Sequence, residues 1–425
     1  MAAGRRTALV LALAVAGAGC SGGGGGGPAP GPKLTGITVD TTATELHYMG
    51  DLWPSTWGAD GKLYLAFGDG TGMKNCVPSL TLGAGDPNPV PGVTADWSDG
   101  NIGGSATTTG CPMGEWIPGV TQPAGAGFYG DFCNHNDCSA CYALCRFTFN
   151  GIVVMDGTPP ALQDCAGADQ CVVKRYWPVD FADTASKKYK TSSLLDVGGR
   201  LIAAVHYGPG TVSTGFLAYS DDGGANWATA TGTSPWTDTN GSHFRVLVFV
   251  QMGQGYAGNS DGHVYAFGMD HELYNDVGTL MDIYLARVPR DKVTDYAAWE
   301  YYQGTPGPGG DPCYNGVWSC RQSDARPVAG LYSSAQASAM YHPGLGKYLF
   351  FTGFADADSG GPYGALFAAD NPWGPWQRVG TFPGPFIGAL VPKGTGGNTV
   401  WFTAAGSAAY PYTLNLVKLT VQTSP

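Results

Sequence analysis

Residues 194–227 decide the fold, because they contain three consecutive β-rich runs separated by turns. LLDVGGRLIAAVHYG (194–208) holds two runs joined at Gly198-Gly199, and GFLAYSDDGGANW (215–227) supplies a third run. Two apolar, β-branched runs on either side of a glycine turn are typical of a β-hairpin. The stretch therefore predicts an antiparallel sheet of at least three strands.

The same order of hairpin and outer run recurs along the chain. The other copies are GDLWPSTWGADGKLYLAFGDG (50–70), with a turn at Asp60-Gly61; FRVLVFVQMGQGYAG (244–258) with HVYAFGMD (263–270), linked through Asp261-Gly262; SSAQASAMYHPGLGKYLFFTGF (333–354); and FIGALVPKGTGGNTVWFTAAG (386–406). Five units, each of roughly 50 to 70 residues, predict an all-β fold, the five-bladed β-propeller. A pair of β-sandwiches is the alternative.

Two further segments are assigned within this fold. We expect a disulfide-rich insertion in blade one, at about residues 70–145, which contains most of the cysteines. The early run LTGITVDTTATELHY (34–48) is expected to join the last blade and close the ring.

The composition limits the classes of partner. With 67 glycines and 30 prolines in 425 residues the chain has many turns, and aromatic residues at 12% provide large packed surfaces. Without Arg5 and Arg6 of the N-terminal segment, 20 basic residues face 33 acidic ones, a formal charge of −13. Such a charge argues against nucleic acid or an anionic membrane surface as the main partner. A neutral polysaccharide fits better, and we expect a monomer.

The first twenty residues, MAAGRRTALVLALAVAGAGC, have the three parts of a secretory signal. Arg5 and Arg6 are followed by the apolar run 9–15, which is too short to cross a hydrocarbon core of ~30 Å. The small residues before Cys20 resemble the lipobox of bacterial lipoproteins, in which that cysteine receives a diacylglyceryl group. An ordinary signal peptide followed by a chance cysteine is the alternative.

This interpretation divides the chain into three parts. Residues 1–19 are the signal peptide, residues 20–33 form a Gly/Pro-rich tether after a lipidated Cys20, and residues 34–425 form the folded domain. The domain would then be anchored to a membrane of the cell envelope, on its extracytoplasmic face.

Ten cysteines remain after Cys20, an even number that predicts five disulfides in an oxidising compartment. Eight of them lie between residues 76 and 171 and are expected to pair among themselves, while Cys313 and Cys320 close a local loop. The spacing of Cys138, Cys141 and Cys145 also fits a zinc site, but disulfides are favoured in an exported chain. We therefore expect neither metal nor cofactor.

The segment Ser220-x-Asp222-x-Gly224-x-x-Trp227 matches the Asp-box, a β-turn of sialidase-like propellers. We expect Asp222 to accept backbone N–H groups across the turn and Trp227 to pack between blades. This is a feature of the fold, with no catalytic role.

Several segments together resemble one family of exported proteins. These segments are GDLWPSTWGADGKLYLAFGDG (50–70), IYLARVPRDKVTDYAAWEYYQG (283–304), SAMYHPGLGKYLFF (338–351) and AADNPWGPWQ (368–377). They resemble the five-bladed propeller domains known as domain of unknown function 4185, which include the endo-D-arabinanases of glycoside hydrolase family 183. The likeness extends over most of residues 45–420. It implies a glycoside hydrolase acting on an arabinan or related cell-wall polysaccharide. The cysteine-rich insertion departs from the family and leaves the sugar open.

Asp51 and Asp69 are the candidate catalytic residues. Glycoside hydrolysis needs two carboxyl groups on opposite sides of the scissile bond. Asp51 opens the inner strand of blade one, Asp69 ends the neighbouring strand, and each lies about nine residues from the Asp60-Gly61 turn. The hairpin therefore brings both carboxyl groups to the same end, the mouth of the axial funnel. The family resemblance implies catalytic roles for both, and local capping of strand ends is the alternative.

Aromatic and polar side chains near this funnel are candidates for sugar binding. Indole rings stack on sugar faces, and imidazole, amide and hydroxyl groups hydrogen-bond to sugar hydroxyls. For the tryptophans the alternative is packing between blades, and for the histidine it is a satisfied, half-buried structural role. The candidates are Trp53, Trp57, His206, Gln336 and Ser338.

Two functions follow from these observations. The first is a glycoside hydrolase that acts on an arabinan-like polysaccharide through two carboxylates. The second is a non-catalytic glycan-binding lipoprotein on the same propeller, since one fold hosts many activities. A binding module has no need to keep Asp51 and Asp69 together, so the pair favours the enzyme.

Overall fold

A computed structural model of the protein describes residues 32–68, 128–129, 151–163, 175–176, 189–207, 214–270, 280–333, 337–352, 363–383, 387–405 and 413–424. Within these ranges the chain is all-β, which confirms that part of the predicted fold. The helices there are short 3-10 turns at Asp238–Asn240, Gln254–Tyr256, Arg290–Lys292, Tyr296–Ala298 and Gln322–Asp324. None of the helices in the described ranges has the length and apolarity needed to span a membrane.

The strands form five antiparallel meanders, which we number in chain order. β1 (Lys33–Val39) and β2 (Thr44–Met49) precede meander one, which contains β3 (Ser55–Trp57), β4 (Leu63–Phe67), β6 (Gly151–Thr158) and β7 (Ala161–Gln163). A separate pair joins β5 (Phe128–Tyr129) to β8 (Arg175–Tyr176). Meander two contains β9 (Tyr189–Val197), β10 (Arg200–Tyr207), β11 (Gly215–Ser220) and β12 (Ala228–Thr229).

The remaining three meanders follow in the second half of the chain. Meander three contains β13 (Val246–Gln251), β14 (His263–Met269), β16 (Tyr284–Pro289) and β17 (Glu300–Tyr302), extended by β19 (Trp318–Ser319) and β18 (Tyr314–Asn315), while β15 (Met281–Asp282) pairs with β20 (Tyr332–Ser333). Meander four contains β21 (Ala337–His342), β22 (Lys347–Thr352), β23 (Tyr363–Ala369) and β24 (Gln377–Pro383). Meander five contains β25 (Ile387–Gly396), β26 (Thr399–Ala405) and β27 (Thr413–Ser424).

The N-terminal strands complete meander five. β1 and β2 both pair antiparallel with β27, the last strand of the chain. The predicted joining of residues 34–48 to the last unit is therefore confirmed. The two ends of the domain are held in one sheet, so they do not fray independently.

The first strands of the five meanders contact one another in a closed cycle, which we call the central ring. β3 lies against β9, β9 against β13, β13 against β21, β21 against β25, and β25 against β3. β13 and β21 pair in parallel. Between the others, Ser and Thr side chains cross the gap. Thr56 Oγ1 accepts from Asp196 N–H at 2.9 Å, Ser193 Oγ from Phe249 N–H at 3.0 Å, and Ser338 Oγ from Leu390 N–H at 2.7 Å.

These first strands begin at one face of the central ring and end at the other. Gly198, just beyond β9, donates its N–H to the carbonyl of Gly255, just beyond β13, at 3.1 Å. Lys393, near the end of β25, donates to the carbonyl of Gly61, just beyond β3. Because the strand ends converge, the strand beginnings also converge. We call these faces the end face and the start face.

The Asp-box lies at the end of β11. Asp222 Oδ1 accepts Asn226 N–H at 2.8 Å, and Trp227 Nε1 donates to the carbonyl of Gly224 at 2.9 Å. Trp227 is buried among side chains of meanders one and two, including Tyr64 and Val205. Both expectations for this motif are confirmed, and burial of such a ring stabilises the contact between meanders by on the order of 2 kcal/mol.

One predicted disulfide falls within the described residues. Cys313 and Cys320 are bonded, with their Cα atoms 5.0 Å apart, so this pairing is confirmed. The other eight cysteines of the domain, the zinc alternative and Cys20 all lie outside the described residues.

His342 makes the stability of the fold depend on pH. It is fully buried, its Nε2–H donates to the carbonyl of Thr399 at 2.9 Å, and its Nδ1 accepts Leu345 N–H at 3.2 Å. Burial lowers the pKa of His342 below its usual 6.5, because the charged ring loses its hydration. The folded state thus binds fewer protons than the unfolded state, and the neutral ring supports folding only above the unfolded pKa.

We therefore expect the free energy of unfolding to fall as pH drops below ~6.5 towards the depressed pKa of His342. In His342→Gln this contribution is absent, so the stability gap between the two proteins should narrow from pH 7.5 to pH 5. Urea unfolding of both proteins across this range measures the gap. If the difference in free energy of unfolding between the two proteins is the same at pH 7.5 and pH 5, His342 is not the source of the pH dependence.

Candidate functional site

Asp51 lies at the start face, directly before the kink that leads into β3. Its backbone N–H donates to the carbonyl of Gly68 at 3.0 Å, and the N–H of Gly68 donates back to the carbonyl of Asp51 at 3.1 Å. The side chain is buried, with 3% exposed. Asp69 follows Gly68 in the chain and lies outside the described residues. From the sequence, residues 51 and 69 are expected to lie nearly opposite each other across the hairpin. In the structure Asp51 pairs with Gly68, one position before Asp69.

The backbone after Asp51 adopts a strained conformation. Leu52 and Trp53 have φ values of 67° and 48°, in the left-handed region that non-glycine residues rarely occupy. Each such residue costs of order 1–3 kcal/mol and persists only where its surroundings fix it. Here Trp53 N–H donates to the carbonyl of Asp51 at 2.9 Å, and the indole Nε1–H donates to the carbonyl of Gly50 at 2.9 Å. These two hydrogen bonds hold the kink that follows Asp51.

Gly68 leaves the space that the Asp51 carboxylate occupies. A Cβ at position 68 would lie 2.9 Å from Asp51 Oδ1, closer than a van der Waals contact allows. The carboxylate therefore lies over the backbone that leads directly to Asp69. A side chain at position 68 would thus displace the Asp51 carboxylate, so glycine is required there.

A histidine and a lysine lie at the start face in meander two. His206 is fully buried near the end of β10 and is paired across the strands with Lys190, at the start of β9. Lys190 is 7% exposed. Its position near the start of β9 places it at the face that carries Asp51. Lys190 is not among the candidates from the sequence.

The two tryptophans that flank Asp51 occupy different places. Trp53 is fully buried, packs on Phe67 at a ring-centroid distance of 5.6 Å, and its carbonyl accepts a hydrogen bond from Thr403 of meander five at 3.3 Å. This burial favours the packing role for Trp53 over sugar stacking. Trp57 ends β3 beside the turn, towards the end face, and in the described part of the structure its buried indole N–H has no hydrogen-bond partner.

Of the two candidates in meander four, Gln336 lies outside the described residues. Ser338 is 8% exposed, and its hydroxyl accepts the N–H of Leu390 at 2.7 Å. This hydrogen bond connects β21 to β25, so Ser338 has a structural role in the central ring.

A second buried carboxylate on the first strands lies at the opposite face. Asp196, near the end of β9, is 3% exposed and accepts Gly199 N–H at 2.9 Å. Burial raises the pKa of Asp196, and the backbone N–H groups of Gly199 and Ala59 oppose this shift. Because Asp196 lies at the end face, it is a structural counterpart of Asp51 rather than its catalytic partner.

Two carboxylates of meander three have structural partners. Glu300 pairs with Arg287 at 2.7 Å, and Asp261 accepts His263 N–H at 3.0 Å in the turn before β14. Within the described ranges, no three His, Cys, Asp or Glu side chains are grouped closely enough to hold a metal ion.

Comparison with known families gives one match. Residues 204–415 match the family model described as "Domain of unknown function (DUF4185)", just under half of the chain. The resemblance noted from the sequence is therefore confirmed for this segment. The match does not include residues 50–70, so the roles of Asp51 and Asp69 depend on their own surroundings. No curated protein matches this chain.

Solved structures with a similar chain trace come from several organisms. A protein of Bacteroides ovatus ATCC 8483, provisionally described as a hydrolase, has 12% identity and a TM-score of 0.45, over 88% of this chain and 87% of that one. A GH43 β-xylosidase/α-arabinofuranosidase from a compost metagenome, in complex with xylotriose, has 11% identity and a TM-score of 0.41, over 90% and 96%. An α-L-arabinanase of Penicillium chrysogenum, complexed with arabinobiose, has 10% identity and a TM-score of 0.39, over 93% and 99%.

Proposed function

We propose that this protein is a glycoside hydrolase that cleaves an arabinan-like polysaccharide, in the manner of an endo-D-arabinanase, at the start face of a five-bladed β-propeller. Asp51 and Asp69 are the two reacting carboxyl groups. The proposal includes the lipid anchor at Cys20, which would hold the enzyme at the outer side of a membrane.

The five meanders support the propeller. Each has a first strand in the central ring, and the cycle of contacts returns from meander five to meander one. Meander five takes its outer strands from the N-terminus, which joins the two ends of the domain. This joining connects the beginning of the repeated sheets to their end, as closure of a ring requires.

One observation carries the assignment of the site. Asp51 is a buried carboxylate on a strained backbone at the start face, and it lies against the residue that precedes Asp69. Strained residues cluster at functional sites, where the strain fixes a side chain in its working position. A carboxylate needed only to cap the strand would not require a kink held by two hydrogen bonds from Trp53.

The chemistry gives each carboxyl group a separate role. Protonated Asp69 donates its proton to the glycosidic oxygen as the bond from that oxygen to the anomeric carbon breaks. Asp51 either takes a proton from the water that attacks the anomeric carbon, or attacks that carbon itself to form a glycosyl ester. In the second case water hydrolyses the ester, and the ionised Asp69 takes the proton of that water.

Lys190 and His206 are buried polar residues at the same face. In this proposal they hydrogen-bond to sugar hydroxyls. Gln336 stays as a candidate for a further sugar contact, whereas Trp57 lies towards the end face, away from Asp51.

The substrate is tested with the soluble exported chain, residues 20–425 with Cys20→Ser. We expect it to release oligosaccharides from D-arabinan, measured by chromatography of the products, with L-arabinan and xylan as comparison substrates. Binding of a glycan without any product would support the glycan-binding alternative, and neither binding nor product would contradict both. Labelling of the full chain with a fatty acid, lost in Cys20→Ser, checks the anchor.

A further inference from the structure

A second group of polar and aromatic side chains lies at the start face, in meander three. We call it the rim cluster, and it consists of His243, Arg245, Asp270 and Tyr284. His243 and Arg245 precede β13, Asp270 follows β14, and Tyr284 begins β16. All four therefore lie where the strands of meander three meet the start face. Neither the candidate pair nor the fold accounts for this group.

The rim cluster is held in a defined geometry. His243 Nδ1 lies 3.0 Å from Asp270 Oδ1, and Arg245 Nη2 lies 3.6 Å from the same oxygen. Arg245 is 7% exposed and also pairs with Asp238 at 2.5 Å, so Asp270 is fixed from the protein interior. A carboxylate that accepts from Nδ1–H sets the tautomer of the imidazole and leaves Nε2 as a hydrogen-bond acceptor.

The imidazole and phenol rings are stacked in parallel. The ring centroids of His243 and Tyr284 are 3.9 Å apart, with an angle of 2° between the planes. Burial, Asp282 and Asp270 raise the pKa of Tyr284, so its hydroxyl remains a neutral donor at neutral pH. The stack thus combines a flat apolar surface with an acceptor at His243 and a donor at Tyr284.

This group remains open to solvent. The side chains of His243 and Asp270 are 38% and 32% exposed, and in the described part of the structure no hydrogen bond is made by His243 Nε2. Flat rings with a few fixed polar atoms are the usual elements of a sugar-binding surface. Three carboxylates, of Asp238, Asp270 and Asp282, outnumber the guanidinium groups of Arg245 and Arg326 around this group, which disfavours an anionic sugar and favours a neutral one.

We propose that the rim cluster is a distal subsite that binds a neutral sugar of the same polysaccharide whose cleavage is proposed at Asp51. A hydroxyl of this sugar donates to His243 Nε2, and the sugar ring packs against the exposed part of the stack. Meander two lies between meanders one and three in the central ring. A ligand must therefore extend over several sugars to reach both places. The inference rests on the proposed function and adds to it that affinity increases with the length of the oligosaccharide.

The test uses the soluble chain carrying Asp51→Asn, which prevents turnover during binding measurements. Titration calorimetry with D-arabinan oligosaccharides of two to eight sugars gives affinity as a function of length. We expect affinity to rise with length in this protein, and His243→Ala to weaken the longest ligands about tenfold. Tyr284→Leu removes the ring stack, so its affinity should increase less with oligosaccharide length than the affinity of the parent does.

His263→Ala is the matched control. His263 also lies near an aspartate, with its Nδ1 3.9 Å from Asp261 Oδ1, but it is at the opposite end of meander three. We expect it to bind every length as the parent does. If long oligosaccharides bind equally to the His243 and His263 variants, the rim subsite is wrong while the proposed function stands. If no oligosaccharide binds and none is cleaved by the chain with Asp51 intact, both are wrong.

Discussion

Asp51→Asn is expected to lower the rate of polysaccharide hydrolysis at least ~100-fold, because it removes the carboxylate that acts as base or nucleophile while keeping the shape of the side chain. Asp69→Asn should cause a loss of the same order. The assay is the release of oligosaccharides from D-arabinan by the soluble chain. A variant of either residue that keeps full activity on a verified substrate would end the pair hypothesis.

Asp196→Asn is the matched control for this prediction. Asp196 is as buried as Asp51 and also lies on a first strand, but at the end face of the central ring. Its variant should therefore hydrolyse the substrate at close to the parent rate. Thermal unfolding of all three variants, measured beside the assay, separates a loss of chemistry from a loss of folded protein. Equal losses in the Asp51 and Asp196 variants would point to folding and not to catalysis.

Gly215→Ala is expected to destabilise the domain by about 3 kcal/mol or more, at the upper end of what overpacking costs. A Cβ at this position would lie 2.1 Å from the carbonyl oxygen of Arg245, and backbone cannot give way as a flexible side chain does. Gly215 is also fixed on its other side, since its N–H donates to the carbonyl of Trp236 at 2.9 Å. The strain would displace either β11 or the backbone of Arg245 in the rim cluster.

Gly309→Ala serves as the control, because a Cβ there has no atom within 4 Å and the backbone is not left-handed. Urea unfolding of the soluble chain should give a midpoint close to the parent for Gly309→Ala and a much lower one for Gly215→Ala. Equal midpoints for the parent and Gly215→Ala would contradict the close approach of β11 to Arg245.

The turns were the most predictable part of the fold. Asp60-Gly61 lies between β3 and β4, and Gly198-Gly199 joins β9 to β10, as the sequence predicts. At both places the turn needs left-handed backbone, and Gly61, Gly198 and Gly199 have φ values of 87°, 64° and 99°. The need for glycine at a left-handed turn position depends only on residues adjacent in the chain, so the sequence alone is enough to predict such a turn.

Contacts between distant residues were not predictable in this way. The carbonyl of Trp53 accepts a hydrogen bond from Thr403, and this contact with meander five helps to bury a ring that the sequence offered as a sugar platform. Lys190 and Arg245 were missed because an isolated basic residue beside a β-rich run is usually a solvated side chain. Their burial depends on the ring that brings five first strands together.

The candidate site was found only in part for the same reason. Asp51 was identified because it precedes a strand beside two tryptophans, and its burial agrees with a working role. The rim cluster joins residues before β13, after β14 and at the start of β16, which no local pattern connects. The region matching the known domain begins only at residue 204, so meander one has no family counterpart to guide it.

The separation of the carboxyl carbons of Asp51 and Asp69, in a crystal structure with an oligosaccharide bound, tests the central claim most directly. We expect both groups to face one pocket at the start face. A separation of roughly 5 to 5.5 Å would indicate a retaining enzyme with a covalent intermediate, and ~6.5 to 9.5 Å an inverting one with a water between the groups. A separation above ~12 Å, beyond the range of either mechanism, or carboxyl groups on opposite faces of the central ring would contradict the paired mechanism.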